Sequence, residues 1–396
     1  MKEPLNFQYP TQEPSIIKVI GVGGGGGNAV THMYREGIYN VDFVLCNTDR
    51  QALDTSDVPT KIQLGEKGLG AGNDPEKARL LAEESEDKIR SMLSDGTEMV
   101  FITAGMGGGT GTGAAPVIAR MAKEQEILTI AIVTIPFMFE GRRKILQALH
   151  GVQEISKSVD ALLVVNNERL RWLYRDLTVD NAFKKADDTL TIAAKSIAEI
   201  ITLPGQINLD FADVKATLKD GGVAIMSNGV ASGDDRLAKA IDTALSSPLL
   251  NNKDVFNARK ILLNVVAGTS APLMMDEMEN VDDFMNKFND DIHVIWGRAI
   301  DESLGENIKV IILATGFEVK RIPGMDAKQQ MDKEKEDELI RDYYPWGEIK
   351  KNPIILDNEA LDNDRIIDLI SNHPTYDRKS HIKRQVEDLM KEDSSV

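Results

Sequence analysis

Apolar residues are spaced along this chain in two alternating ways. Ile16–Gly21 (IIKVIG) is a short run rich in β-branched residues that ends in glycine, and Val41–Cys46, Met99–Thr103, Leu128–Ile135 and Ala161–Val165 repeat it. Runs of this length and composition predict strands buried on both faces of a parallel sheet. Between them, Ala29–Arg35, Pro75–Met92, Ala114–Lys123 and Ile145–Ser158 carry helical spacing. Strand and helix in alternation build βαβ units, so the predicted class is α/β, with a Rossmann-like parallel sheet. Ligands in such sheets bind beyond the C-terminal strand ends. The loops after these strands are where chemistry is to be sought.

Val179–Thr202 is a longer helical pattern, with Ala182, Phe183, Ala186, Leu190, Ala193, Ile197 and Ile200 on one face, and Pro204-Gly205 stops it. A second set follows: strands at Val223–Ser227, Lys260–Val266, His293–Ala299 and Lys309–Ala314, helices at Asp234–Leu245 and Val281–Phe288. The predicted organisation is a flexible 1–15, a nucleotide-binding domain over 16–178, a central helix over 179–203 and a smaller α+β domain over 204–317. After Phe317 the composition turns charged and polar, and 318–396 reads as a largely disordered acidic tail. Its small apolar groups, Ile366-Ile367-Ile370 and Ile382–Met390, are either chance hydrophobics or short helices that order on a partner.

Composition narrows the function. Hydrophobic residues make up 42% and aromatics 5%, so aliphatic side chains build the core. The formal charge of −17 argues against general binding to nucleic acid or an anionic membrane. It leaves room for a single anion site, since backbone N–H groups hold phosphate without lysine. Cys46 is the one cysteine and ends an apolar run, which favours a buried strand residue over a reactive thiol. The five histidines show no metal-ligand spacing. The first fifteen residues lack the apolar core of a signal peptide, and no run reaches the length of a membrane span. A cytoplasmic protein without direct membrane insertion is expected.

Two glycine loops carry the chemistry. Gly21-Val22-Gly23-Gly24-Gly25-Gly26-Gly27-Asn28 lies after a strand and before a helix. Glycine lets a ligand approach the main chain, and the helix start offers free N–H groups to an anion. Gly107-Gly108-Gly109-Thr110-Gly111-Thr112-Gly113 repeats the arrangement after Met99–Thr103 and adds threonine hydroxyls. Two such loops suit a polyphosphate. The first alone satisfies a dinucleotide fingerprint, for which Asp42 lies near the position of the ribose acid, but a nicotinamide enzyme leaves the second loop without a role. No P-loop pattern is present. A third cluster, Asn208, Asp210 and Asp213, follows the long helix. Its acids either cap the next helix or polarise a water for attack on phosphorus.

With these motifs in hand, the chain resembles the tubulin/FtsZ family. GGGTGTG is the signature loop of that family, and the resemblance runs from about Ile16 to Gly316. It passes through Asn47-Thr48-Asp49, Gly68-Leu69-Gly70-Ala71-Gly72, Pro136-Phe137-Met138-Phe139-Glu140-Gly141, Asn208–Val214 and Ser227-Asn228-Gly229. It implies GTP and GDP as ligands, magnesium carried on the GTP phosphates without a direct protein metal site, and head-to-tail homopolymers at the division site on the inner face of the membrane. It places phosphates on Gly24, Gly25, Gly26, Gly27, Gly107, Gly108, Gly109, Thr110, Gly111 and Thr112. It assigns guanine to Asn28 and Asp187, with Asp188 the adjacent alternative. Phe183 lies along the base or in the core. Glu140 meets the ribose, and Asn167 the sugar or base. Asp49, Ala71 and Gly72 approach the γ-phosphate or its magnesium. Asn208, Asp210 and Asp213 act on the nucleotide of the next subunit.

The chain departs from the family at three points. Lys144 stands where an arginine is usual, which loses the bidentate fork and leaves Arg142 or Arg143 as alternatives. Asn166 stands where proline is common. The tail segment Pro374–Lys379 only loosely resembles the terminal peptide through which the family meets division proteins and a membrane adaptor.

Overall fold

The computed structural model describes residues 15–38, 40–174, 177–203, 205–207, 209–246, 258–288, 292–317, 340 and 365–367. The chain divides into units 1–329 and 330–396. In the second, the described residues are Ile340 and a helical stretch at 365–367 in which Ile366 is buried. The predicted flexible start and most of the predicted tail lie outside the described residues.

The first half alternates as predicted: β1 (Ile17–Val22), α1 (Gly23–Glu36), β2 (Asp42–Asn47), α2 (Arg50–Asp54), β3 (Thr60–Gln63), α3 (Pro75–Glu84), α4 (Glu86–Leu93), β4 (Met99–Gly105), α5 (Gly109–Glu124), β5 (Leu128–Ile135), α6 (Arg142–Ser156), β6 (Ala161–Asn166), α7 (Asn167–Leu173) and α8 (Val179–Thr202). β3-β2-β1-β4-β5-β6 pair in parallel, in that spatial order. The direction of progression reverses between β1 and β4. That switch point opens a crevice at the C-terminal strand ends, and both glycine loops emerge there.

The second half comprises β7 (Gly205–Ile207), α9 (Phe211–Leu218), β8 (Gly222–Ala231), α10 (Arg236–Leu245), β9 (Lys260–Ala267), α11 (Glu279–Met285), β10 (His293–Ile300) and β11 (Ile308–Phe317). Its strands continue the same sheet in the order β8-β11-β9-β10-β7, joined to β6 by only two residue pairs, Ala161↔Gly222 and Leu162↔Val223. One core runs along the inner face of β1, β4, β5 and β11 and takes the buried stripe Ala186, Leu190, Ala193 and Ile197 of α8. A second core fills the space under α10 and α11.

Three differences from the sequence reading have clear causes. The helix predicted over Pro75–Met92 breaks at Ser85, whose hydroxyl donates to the Leu81 carbonyl and accepts the Gly65 N–H at 2.9 Å. That bond ties the helix break to the segment before Gly68–Gly72. The helices predicted from Ala29 and Ala114 begin at Gly23 and Gly109. The glycines are the first turns of these helices, so their unpaired N–H groups are helix-end donors. Gly113 is required by packing: a Cβ there would stand 1.9 Å from the Pro75 carbonyl oxygen, which lets α3 and α5 touch.

Candidate functional site

The glycines of the crevice divide by what a side chain would meet. At Gly26 a Cβ would lie 2.2 Å from the Thr103 carbonyl oxygen, and at Gly111 2.5 Å from that of Gly105. These two let helix starts press against strand ends. At Gly24, Gly27 and Gly108 a Cβ would meet nothing within 4 Å. Protein packing does not ask for glycine at those three, and Gly24 and Gly27 open onto a pocket. A pocket of about 360 Å³ lies along α1, lined among others by Gly24, Gly27, Asn28, His32, Cys46 and Asn47. Cys46 is buried, as its apolar run predicts, and burial pushes its thiol up to about 12.

The other loops close around the same place. Gly70 donates its N–H to the Thr48 carbonyl, and Asp49 bridges to Leu69. The Asp49 carboxylate caps α2 by accepting from the Gln51 and Ala52 N–H groups. Ala71 lies against the start of α5, 3.0 Å from where a Gly109 Cβ would stand, and Gly72 holds a positive φ of 67°. The Thr110 and Thr48 hydroxyls pair at 2.7 Å. Thr112 accepts the Gly107 N–H at 2.9 Å.

After β5, Glu140 accepts the Phe137 N–H at 2.8 Å and pairs with Lys144. Lys144 thus stands between Glu140 and Gly107, whose Cβ would lie 2.9 Å from its Cγ. Arg142 has a partner of its own. Asn167, buried at the start of α7, leaves its Oδ1 without a hydrogen-bond partner. An orphaned buried acceptor at a crevice is a group that a ligand hydroxyl or amine satisfies. Phe183 is 41% exposed and meets Phe137 edge-on at 5.1 Å. At that exposure it is not a fully buried core residue.

Asp187 and Asp188 separate by environment. Asp188 pairs with His32 of α1 at 3.0 Å. Asp187 is the more enclosed; burial pushes its carboxyl up to about 6, with His32 pulling it down and Asp188 pushing it further up. A carboxylate kept from water gains most from ligand donors.

The acidic cluster lies elsewhere. Asp210 caps α9, accepting the Asp213 N–H at 3.0 Å, while Asp213 accepts the Asp210 N–H at 3.1 Å. This is a reciprocal capping box. Just past α9, Gly222 donates to the Asp160 carbonyl at 3.1 Å, and Lys123 reaches both Asp160 and Asp220. Asp160 immediately precedes β6, so α9 sits at the N-terminal strand edge, opposite the glycine loops. The stretch of α8 from Asp187 to Thr202, 15 helical steps, spans about 22 Å, and an aspartate side chain does not cross that distance. Asn208 lies outside the described residues.

Residues 16–175 match the family model for the tubulin/FtsZ GTPase domain, and 222–318 match that for the FtsZ C-terminal domain. The cell division protein FtsZ of Porphyromonas gingivalis is 52% identical over 98% of this chain and 91% of its own length. The chain belongs to the FtsZ family. The FtsZ of Wigglesworthia glossinidia brevipalpis is 46% identical over 82% of this chain and 84% of its own. A solved FtsZ dimer from M. jannaschii superposes with a TM-score of 0.71 at 38% identity, covering 78% of this chain and 89% of that one. The crevice at the β1/β4 switch point therefore belongs to a GTPase domain of this family. Sequence reasoning passed over four residues around it: Asn47, His32, Gln147 and Glu168. Asn47 lay inside a segment already noticed. The other three sit on helices at ordinary spacing, and only the fold brings them to the crevice. Glu168 is buried and accepts the Met138 N–H at 3.0 Å, which ties the loop after β5 to α7.

Proposed function

We propose that this chain is a GTP-hydrolysing subunit of a head-to-tail filament that acts at the cell-division site, with each hydrolytic site shared by two subunits. The observation that carries the reading is the separation of the two chemistries. The nucleotide crevice occupies one strand edge, and the acids Asp210 and Asp213 occupy the other. A second copy stacked on the first brings the acids of one to the crevice of its neighbour. Such a contact joins two different surfaces, repeats without closing and builds a filament.

Within the crevice, the N–H groups at the starts of α1 and α5 cradle the phosphates, with Gly24, Gly27 and Gly108 leaving space for them. Asp187 accepts from guanine N1–H and the exocyclic amine. Asn28 faces the base, Phe183 lies along it, and Asn167 and Glu140 take the sugar. Asp49, Ala71 and Gly72 border the outer phosphate, with Lys144 packed against Gly107 of the second loop. Among the described residues, no group of three or more His, Cys, Asp or Glu gathers to hold a metal. In this reading magnesium would be carried on the phosphate oxygens, with the Asp49 carboxylate the acid beside it. When bound there it neutralises charge on the transferred phosphoryl group. From the neighbour, Asp210 and Asp213 orient and polarise the attacking water, and Asn208 is assigned with them. Among the described residues no helix is long and apolar enough to cross a membrane. Attachment through a membrane adaptor on the tail, in the cytoplasm, is part of this proposal.

Sedimentation tests the reading. Protein with GTP and magnesium is expected to pellet as polymer, to disperse as GTP is consumed, and to stay in the supernatant with ATP. Pelleting that ignores the nucleotide base would sink the assignment of Asp187 and the filament cycle with it.

A further inference from the structure

The second glycine loop is held from outside by one side chain that the reaction does not otherwise use. Gln147 of α6 donates its Nε2 amide to the carbonyl oxygens of Gly107 at 3.1 Å and Gly108 at 3.2 Å. We propose that Gln147 is a positioning residue: it turns these two carbonyls toward α6, so that the N–H groups of Gly108 and Gly109 face the nucleotide phosphates. The inference rests on the reading that this loop binds phosphate.

The geometry follows from the planarity of the peptide. In a trans peptide the N–H points opposite to the C=O before it. Holding the Gly107 oxygen toward α6 aims the Gly108 N–H away from α6. Holding the Gly108 oxygen does the same for the Gly109 N–H, the first of helix α5. Gly107, at φ 100°, and Gly108 have no side chain to hold either plane in place. Thr112 fixes the Gly107 N–H. The Gly108 carbonyl, at the N-cap of α5, also takes the first hydrogen bond of the helix, and Gln147 adds a side-chain restraint on both planes.

The approach of α6 is itself built for this. A Cβ at Gly151, one turn beyond Gln147, would stand 2.6 Å from the Thr112 methyl, so glycine there lets α6 close on the start of α5. Ile145, Leu149 and Val152, on the opposite face at helical spacing, are buried and fix the helix. An amide suits the position. It donates two N–H groups without charge, whereas a carboxylate would repel both the carbonyls and the phosphates.

Equilibrium binding of guanosine, GDP and GTP to the full chain and to Gln147→Leu and Gln147→Glu provides the test. The leucine variant is expected to bind GDP and GTP roughly tenfold more weakly, with guanosine unchanged. The glutamate variant, close in size to the native residue, is expected to lose more, and it carries the test if the leucine variant does not fold. A merely structural role would weaken all three ligands alike, and that result, or unchanged binding throughout, overturns the inference. Wild-type protein that binds GDP no tighter than guanosine overturns instead the phosphate reading beneath it.

Discussion

Asp213→Ala is expected to bind GTP with unchanged affinity and to hydrolyse it about a hundred-fold more slowly, or slower still. Binding survives because Asp213 sits on α9, at the strand edge opposite the crevice of its own chain. Hydrolysis fails because the neighbour's crevice receives a helix start without the acid that orients water. Polymer formed on GTP should persist, since the step that disperses it is lost. Asp213 also accepts the Asp210 N–H, and losing such a cap costs about 1 kcal/mol. Asp213→Asn separates the two effects: it keeps an acceptor for the cap and lacks the charge. Both variants are expected to lose hydrolysis. Phosphate release close to wild type in both would remove Asp213 from the chemistry.

Asp187→Asn is expected to weaken GTP roughly a hundred-fold and to shift preference toward xanthosine triphosphate. In the proposed site the carboxylate accepts from N1–H and the exocyclic amine, and each charged hydrogen bond contributes about 1.5–3 kcal/mol. An asparagine turns one acceptor into a donor, which clashes with the amine of guanine and matches the carbonyl of xanthine. The wild-type pH dependence has a defined sign. Burial lifts the Asp187 carboxyl from 3.8 to about 6 in the empty protein, and guanine requires the ionised form. GTP affinity should be level above about pH 7 and fall as pH drops through 6, approaching tenfold per unit below it. Stability of the empty protein should move the other way. With the folded value above the unfolded one, the folded state holds more protons between about pH 4 and 6, so the contribution of this group to stability declines as pH rises across that window. The His32–Asp188 pair sits beside it. Titration of GTP binding between pH 5 and 8 checks the sign, and an affinity that rises on acidification contradicts it.

Much of this was legible in the chain. β5 and α8 have the bounds their apolar spacing predicts, because an uninterrupted β-branched run and a long one-sided stripe admit few other readings. Four short elements were not legible: α2, β3, α7 and β7 hold seven residues or fewer, and none carries an uninterrupted apolar run like those of β1, β2 and β6. Helix starts were misplaced because glycine reads as a loop, while here Gly23–Gly27 are helical, with Gly25 and Gly26 close against Gly105 and Thr103. Asp187 and Asp188 were indistinguishable in sequence, being adjacent. They part only when α8 packs on α1 and turns Asp188 to His32. Gln147 was invisible for a similar reason, since the two carbonyls it holds lie 39 and 40 residues away. Asp210 and Asp213 were visible as a pair, and both alternatives raised for them remain compatible: they cap α9 in their own chain, which fixes the carboxylates at an exposed helix start.

The shared site is the claim on which the mechanism depends, and phosphate release from GTP against total protein concentration, with magnesium present, tests it most directly. The account predicts specific activity near zero at low concentration, climbing beyond a threshold as subunits meet, with no release from ATP at any concentration. Activity strictly proportional to protein from the lowest concentration would mean that each monomer holds a complete site, and would contradict the separation of crevice and acids.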